Sequence, residues 1–203
     1  MKNKIQKRYN RIARVYDILE SPMEMKFSKW RKELLKEAEG QTLEVGIGTG
    51  KNIPYYPADV ELTGIDFSER MIEIAGKKVK DNHNVQLKVM NAEKLDFEDD
   101  AFDTVVTSCV YCSVPDPVQG LKEMKRVCKP NGRILMLEHV RSNHKTIGKV
   151  MDILNPIPLY IYGANINRRT YDNILKAGFE PDNISIRHLW YDIVKLIKRK
   201  WGM

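Results

Sequence analysis

Cysteine and long apolar runs are both scarce in this sequence, and each absence narrows the class of protein. Three cysteines among 203 residues are too few for a disulfide framework, so we expect a reducing, cytoplasmic setting. No run approaches the ~18–20 apolar residues of a membrane-spanning helix. The basic residues 1–8 have no apolar stretch behind them, so no secretory signal is predicted. Internal repeats and low-complexity segments are also lacking, which excludes repeat arrays.

The overall composition is that of a soluble globular protein, with 42% hydrophobic and 30% charged residues. At this length one domain with one hydrophobic core is the expected organisation. Two-domain dehydrogenases and large synthases are therefore excluded.

The positive charge is concentrated at the two ends of the sequence. Residues 1–36 carry 11 Lys and Arg against 4 Asp and Glu, and residues 187–203 carry 5 against one. The segment between them, 37–186, is mildly acidic, with 18 basic and 22 acidic residues. This distribution predicts either an anionic partner near the termini, such as a phospholipid surface or a nucleic acid, or a solvated basic face.

The N-terminal residues 1–40 are predicted to form two amphipathic helices. Apolar residues recur at steps of four and three at Ile5, Tyr9, Ile12, Tyr16 and Leu19. A second helix is predicted after Pro22, ending at Gly40. Such helices cover a pocket, lie on a membrane, or simply pack on the body of the protein, and amphipathicity alone does not separate these alternatives.

From residue 41 the pattern alternates between strands and helices, which is typical of a parallel sheet with helices on both faces. Strands are predicted at 42–45, 61–65, 85–89, 102–107, 134–137, 184–190 and 193–198. Ser68 and Asp116 are predicted to cap helices, and a further helix is expected over 169–177. Residues 129–132 are predicted to form a turn, 141–167 to be irregular, and the last two strands to meet at Tyr191–Asp192.

The sequence LEVGIGTG at 43–50 follows a strand and predicts a sharp turn whose backbone approaches a ligand closely. Asp66 ends the next strand about twenty residues later, where a carboxylate accepts the hydroxyls of a ribose. A dinucleotide fingerprint requires a further glycine at the position of Lys51. Its absence favours S-adenosylmethionine, which has no pyrophosphate, and Glu44 is placed to help fix that cofactor's amino group.

Downstream of this motif, Asn91-Ala92-Glu93-Lys94-Leu95 follows the third strand and 102–106 forms the fourth. With these pieces the sequence resembles the class I S-adenosylmethionine-dependent methyltransferases, closely over residues 9–140. The resemblance implies an α/β, Rossmann-like seven-stranded sheet of order 3-2-1-4-5-7-6 with its last strand antiparallel, and an N-terminal helical lid. It also implies one domain over 1–203, with lid helices (1–40), a cofactor-binding core (41–140), and a substrate-side cap with the final strand pair (141–203).

The resemblance assigns roles to individual residues around S-adenosylmethionine and its product, S-adenosylhomocysteine. It places the methionine end at Glu44, Gly46 and Gly48, the ribose at Asp66, and the adenine at Asn91, Ala92 and Glu93. Asn91 stands where the family usually has Asp. Phe67 is expected to flank the adenine ring and Ser108 to close the pocket. Tyr16 of the lid is expected to shield the sulfonium from water.

Narrower motifs resemble three groups within this family. YNRIARVYD at 9–17 is similar to the lid helix of quinone C-methyltransferases and bacterial phosphatidylethanolamine N-methyltransferases, and 112–117 extends the likeness to the phospholipid enzymes. LEHV at 137–140 and the segment 189–195 are similar to microsomal alkyl-thiol methyltransferases. A C-terminal Asn-rich motif expected of the quinone enzymes is lacking.

These likenesses predict methyl transfer to a small or lipid-like acceptor. The leading acceptor is the amine of phosphatidylethanolamine, because basic amphipathic termini suit peripheral contact with an anionic membrane on its inner face. A thiol or a quinol is the alternative. A protein of another class is the remaining alternative. A non-catalytic nucleoside-binding module would have a damaged glycine loop, and an RNA-binding module would have a basic cleft. In this sequence the glycine loop is intact and the segment 37–186 is acidic. No nucleic-acid partner is therefore expected.

Tyr16, Tyr111 and His139 are the candidate catalytic residues. His139 ends the fifth strand and is either a general base or a structural histidine, and Tyr111 either orients a substrate or packs. Because the methyl group is already activated, positioning alone supplies much of the acceleration and no base is strictly required.

Two further clusters have competing interpretations. Cys109 and Cys112 have the C-x-x-C spacing of one half of a zinc site, but no second Cys pair or clustered His completes it, so no metal is predicted. The basic cluster Lys195, Lys198, Arg199 and Lys200 either holds an anionic substrate or surface or is solvated.

Overall fold

A seven-stranded β-sheet forms the centre of the molecule, seen in a computed structural model that describes residues 2–79, 84–161, 163–190 and 194–199. The strands are β1 (Gln41–Val45), β2 (Glu61–Asp66), β3 (Val85–Val89), β4 (Phe102–Ser108), β5 (Cys128–His139), β6 (Ile184–Leu189) and β7 (Val194–Arg199). They lie in the order β3-β2-β1-β4-β5-β7-β6. The first five are parallel, and β7 runs antiparallel to both β5 and β6. The predicted sheet order and the reversed last strand are confirmed.

Helices cover both faces of this sheet. They are α1 (Lys2–Leu35), α2 (Glu69–Gly76), α3 (Pro117–Val127), α4 (Lys145–Leu154), α5 (Pro156–Ile161) and α6 (Thr170–Lys176). The predicted caps are confirmed: Ser68 Oγ accepts a hydrogen bond from Met71 N at 3.3 Å and Asp116 Oδ1 from Gln119 N at 3.0 Å. Among the helices of the described residues, none is both long and apolar enough to cross a membrane.

The hydrophobic core consists of two layers, one on each face of the sheet. One layer joins α3 and α6 to the strands through buried residues such as Leu121, Met124 and Ile174. The other joins the C-terminal half of α1 to the opposite face through Phe27 and Leu35. Apolar residues at helical spacing therefore fix each helix against the strands, and the carboxyl ends of β1, β2 and β4 stay free to build a site.

The prediction of two N-terminal helices is wrong, because α1 is a single helix that runs through Pro22. A proline inside a helix removes one backbone hydrogen bond and costs roughly 3 kcal/mol. Buried contacts hold the helix on both sides of Pro22, with Ile5 and Ala13 before it and Leu34 after it. Tertiary packing of an amphipathic face outweighs the local penalty here.

Two loop predictions also require correction. Residues 141–167 were expected to be irregular but contain α4 and α5, where Pro156 is tolerated as the first residue of its helix. Residues 129–132 lie within β5 instead of preceding it, because the pairing with β4 jumps from Phe102–Cys128 to Thr104–Arg133. The turn-forming residues are accommodated as an irregularity of the strand. The predicted turn at 191–192 lies outside the described residues.

Candidate active site

A glycine-rich loop at the end of β1 lines the site with backbone. Gly46 and Gly48 have φ values of +75° and +56°, a region that side chains with a Cβ rarely adopt. A Cβ on Gly46 would lie 2.5 Å from Val110 Cγ2, whereas one on Gly48 would meet nothing within 4 Å. The loop is therefore packed tightly at Gly46 and leaves open space beside Gly48.

Asp66 at the end of β2 holds this loop in place. Its Oδ2 accepts a hydrogen bond from Gly48 N at 3.1 Å, and its Oδ1 accepts one from Ser68 N at 2.8 Å. Burial raises the pKa of the Asp66 carboxyl to about 6, and the backbone donors oppose that shift. The carboxylate thus lies between the loop and the start of α2, with its ionised form held by two N–H groups.

A second buried carboxylate, Glu44 on β1, is held by two side chains. Asn52 Nδ2 donates to its Oε1 at 2.7 Å, and the Tyr56 hydroxyl donates to its Oε2 at 2.9 Å. Burial raises the pKa of Glu44 to about 7. The other amide atom, Asn52 Oδ1, is buried and has no hydrogen-bond partner among the described residues. It is an acceptor that a ligand's donor would satisfy.

Two cavities meet at the glycine-rich loop. The first, of about 340 Å³, is lined by Asp66, Phe67, Asn91 and Ala92. The second, of about 380 Å³, is lined by Glu44, Asn52, Phe27, Arg31 and His139. Both are bordered by Tyr9, Tyr16, Gly46, Gly48, Ser108 and Cys109. The two cavities therefore adjoin one another along this shared border.

The N-terminal half of α1 closes the first cavity. Gln6 Nε2 donates to Phe67 O at 2.7 Å, and Asn10 Oδ1 accepts from Ser68 Oγ at 2.5 Å. The hydroxyls of Tyr9 and Ser113 lie 2.5 Å apart, and the ring of Tyr9 packs edge-on against Phe67. This half of the helix has the position expected of a lid.

Most of the predicted site residues border one of the two cavities. Those lining the first are Tyr16, Gly46, Gly48, Asp66, Phe67, Asn91, Ala92 and Ser108, while Glu44 and His139 line the second. The loop and Asp66 come together because β1 and β2 are adjacent and parallel, so their carboxyl ends meet at one edge.

Two predicted site residues lie elsewhere. Tyr111 is fully buried in the core, and its hydroxyl donates to Met124 Sδ at 2.8 Å, which matches the packing alternative. Glu93 Oε1 accepts a hydrogen bond from Asp116 N at 2.8 Å, and the residue is not among those lining either cavity. It fixes the segment leading into α3 and does not face the nucleoside side of the site.

His139 lines the second cavity and is partly buried. Burial lowers its pKa to about 4, so the imidazole is neutral at physiological pH. A base with so low a pKa is a poor proton acceptor at neutral pH. The neutral ring is nevertheless able to accept a hydrogen bond from a substrate.

Sequence reasoning missed several residues that build the site. These are Gln6, Tyr9, Arg31, Asn52 and Ser113. Tyr9 lay within the lid motif and was recognisable there. The pairing of Tyr9 with Ser113 spans 104 positions, a separation at which sequence spacing carries no signal. Among the described residues, no group of three or more His, Cys, Asp or Glu side chains is placed to hold a metal.

The fold and the site together define a protein with a doubly wound sheet whose candidate nucleoside site lies at the carboxyl ends of the strands. A family model for a methyltransferase domain matches residues 43–136. The chain is 36% identical over 194 residues to the demethylmenaquinone methyltransferase of Staphylococcus saprophyticus, covering 90% of this chain and 83% of that protein. The chain therefore belongs to the class I S-adenosylmethionine-dependent methyltransferases.

Two further proteins are informative. The phosphatidylethanolamine N-methyltransferase of Cereibacter sphaeroides is 42% identical over 103 residues, or 49% of this chain, and the match spans about half of that relative's length, 51%. The crystal structure of a Thermotoga maritima protein, a methyltransferase dependent on S-adenosylmethionine and possible histamine N-methyltransferase, superposes with a TM-score of 0.65 at 21% identity. That superposition covers 94% of this chain and 98% of the other, and it supports the fold alone.

The residues at the site fit S-adenosylmethionine, the cofactor of this family. The unpartnered Asn52 Oδ1 suits the ammonium of the methionine end, and the open space beside Gly48 admits a ligand against the backbone. Asp66 would hold the ribose at the loop, with Asn91 and Ala92 at the base. When bound, the cofactor supplies a methyl group activated by a sulfonium.

Proposed function

We propose that this chain transfers a methyl group from S-adenosylmethionine to the amine of phosphatidylethanolamine. The observation that carries the proposal is the second cavity. It shares Glu44 and Asn52 with the predicted methionine end of the cofactor site, and it also combines a buried cation, Arg31, with apolar residues such as Phe27, Pro158 and Ile166. A guanidinium suits a phosphodiester, and apolar walls suit the glycerol end of a lipid. The 42% identity to a phosphatidylethanolamine N-methyltransferase supports the same acceptor.

The reaction requires little proton transfer by the side chains of the protein. The acceptor amine reaches the second cavity with its lone pair free, and Arg31 at the phosphate would orient that lone pair toward the border at Gly46, Gly48 and Ser108. His139, neutral because burial lowers its pKa to about 4, would accept a hydrogen bond from the amine. The ammonium of the free lipid would lose its proton to solvent before it enters the cavity. The new N–C bond would form as the sulfonium's bond to the methyl carbon breaks, and the positive charge would pass to the methylated nitrogen. Tyr9 and Tyr16 exclude water from the border.

A quinol ring carbon is a second candidate acceptor. It is favoured by the length of the match to demethylmenaquinone methyltransferase, which covers 90% of this chain. A quinol has no phosphate for Arg31 to bind. Methylation of the lipid should therefore depend on Arg31, whereas methylation of a quinol should not. The third alternative, a thiol, is tested in the same assay.

The test uses purified protein, methyl-labelled S-adenosylmethionine, and detergent micelles holding phosphatidylethanolamine, a demethylated menaquinol or an alkyl thiol. We expect label in N-methylated phosphatidylethanolamine. Arg31→Gln should lower that activity at least about tenfold, since a charged hydrogen bond is worth about 1.5–3 kcal/mol. Cofactor affinity should fall much less, although Arg31 lies within electrostatic reach of Glu44. Labelling of the quinol or thiol in preference to the lipid would overturn the proposal.

A further inference from the structure

Helices α4 and α5 present a continuous apolar surface to solvent. The exposed residues are Val150, Ile153, Leu154, Ile157, Tyr160 and Ile161. Ile153 and Tyr160 are 75% and 78% exposed, and the positions recur at steps of three and four along helices separated only by Asn155. Large contiguous apolar patches are uncommon on monomeric soluble proteins and mark interaction surfaces. We call this set the α4–α5 face.

Positive charge borders the α4–α5 face. Lys149 is exposed one turn before Ile153 on α4, and Lys145 one turn before that. On α1, Lys4, Lys7 and Arg11 are exposed at helical spacing and form a basic ridge. The sole acidic residue within 145–161, Asp152, is ion-paired with Arg141 at 2.8 Å.

Arg8 joins the basic ridge of α1 to the α4–α5 face. Its Nη1 donates to Leu159 O at 2.7 Å, and its guanidinium carbon lies 5.8 Å from the centroid of the Tyr160 ring. The ridge and the apolar face are therefore neighbours in one surface. Apolar side chains with cations of one sign beside them are the pattern of a protein segment that lies in a membrane interface.

The α4–α5 face also adjoins the second cavity. Pro158 of α5 lines that cavity together with Ala164 and Ile166. Asn155, at the joint of the two helices, donates to Asn165 Oδ1 at 3.3 Å and accepts from Ile166 N at 2.9 Å. A surface bound to α4 and α5 would thus lie beside the wall of the cavity to which we assign the acceptor.

We propose that the α4–α5 face and the basic ridge of α1 dock on an anionic phospholipid bilayer. The apolar side chains would enter the interfacial region, and Lys4, Lys7, Arg11 and Lys149 would face the head groups. A protein partner is the weaker match, because lysine is depleted at protein–protein interfaces. The choice of this partner rests on the proposed function in one respect, namely that the acceptor is a membrane lipid.

The test measures co-sedimentation with vesicles of phosphatidylcholine alone or mixed with phosphatidylglycerol, neither of which is the proposed acceptor. We expect binding to the anionic vesicles, weakened by added salt. The double variant Ile153→Glu, Ile157→Glu should reduce binding more than about tenfold, because two apolar side chains no longer enter the interface. The double variant Met25→Glu, Leu175→Glu is the matched control. It alters two exposed apolar residues outside the α4–α5 face and adds the same charge, and it should bind nearly as well as the unaltered protein.

The possible results of these experiments distinguish the docking proposal from the proposal about the methyl acceptor. Cofactor affinity and circular dichroism of the double variant should be unchanged, which excludes misfolding. Methylation of phosphatidylethanolamine in micelles without binding to anionic vesicles would overturn the docking proposal and leave the acceptor standing. Vesicle binding by a protein that methylates only a soluble acceptor would overturn the acceptor alone. A self-associated protein that becomes monomeric in the double variant and binds no vesicles would assign the face to a second copy.

Discussion

The proposed contact between Asp66 and the ribose should make cofactor binding depend on pH. Burial raises the pKa of Asp66 to about 6, and ribose hydroxyls donate a stronger hydrogen bond to the ionised carboxylate than to the neutral carboxyl. Affinity for S-adenosylmethionine should therefore be about half its high-pH value at pH 6 and fall by up to about tenfold per pH unit below that. Calorimetry at pH 7.5 and pH 5 measures this.

Asp66→Asn is the control for that prediction. It should bind weakly at both pH values, with a much flatter profile between them, because the titrating group has gone. An Asp66→Asn protein with the affinity of the unaltered one would remove Asp66 from the ribose site.

Asn52 should discriminate between the whole cofactor and its nucleoside part. Its buried Oδ1 has no hydrogen-bond partner in the part of the chain that the structure describes, and we propose it as the acceptor for the ammonium of the methionine end. Asn52→Ala should weaken S-adenosylmethionine binding by about 10–100-fold, the value of a charged hydrogen bond. Binding of adenosine, which has no methionine end, should change little. Equal losses for both ligands would mean that Asn52 acts only by holding Glu44.

At the scale of elements, the N-terminal half of α1 should matter more for transfer than for cofactor binding. It closes the first cavity through Gln6, Tyr9 and Asn10, and Tyr16 lies at the border of the two cavities. Deletion of residues 1–20 should lower the rate of methyl transfer at least about tenfold, with a smaller loss of cofactor affinity.

Rates and calorimetry on the truncated protein test this, with circular dichroism as the check on folding. Equal losses of transfer and binding would indicate that this half of α1 is a structural part of the cofactor site and not a lid.

The elements show where sequence reasoning succeeds and where it fails. The loop at 43–50 and Asp66 were predictable, since each follows a strand whose period and turn chemistry are local. The continuity of α1 through Pro22 was not, because it depends on burial of Ile5 and Leu34 by distant elements. The side-chain directions of Glu93 and Tyr111 escaped prediction for the same reason: their partners, Asp116 and Met124, lie in another element or at its start.

At the scale of the whole molecule, buried carboxyl groups set the pH dependence of stability. Burial raises the pKa of Glu44 and Glu138 to about 7 and of Asp66 to about 6. Between about pH 5 and 7 the folded protein therefore holds protons that the unfolded chain has released. Stability without cofactor should fall across this window as pH rises, by up to about 1.4 kcal/mol per pH unit for each such proton.

His139 changes the free energy of unfolding in the opposite direction, but only below the ordinary pKa of histidine. Its lowered pKa of about 4 makes its own contribution to stability rise with pH up to about 6.5. One histidine offsets only part of the effect of three carboxyl groups, so stability should still fall between about pH 5 and 7 and level off above pH 7. Urea unfolding at pH 5.5 and 7 measures this fall. Glu138→Gln should reduce the slope, and a stability that rises between those two values would contradict these assignments.

The position of β7 constrains the order in which the protein is completed during its synthesis. β7 follows β6 in the chain but lies between β5 and β6, and it is the strand to which β6 is paired. Until residues 194–199 have left the ribosome, β5 has an open edge and β6 has no place in the sheet. Nascent chains paused before that point present an exposed strand edge to other chains. Slow translation just upstream of β7 would therefore favour aggregation, and chaperone binding there would protect the yield of folded protein.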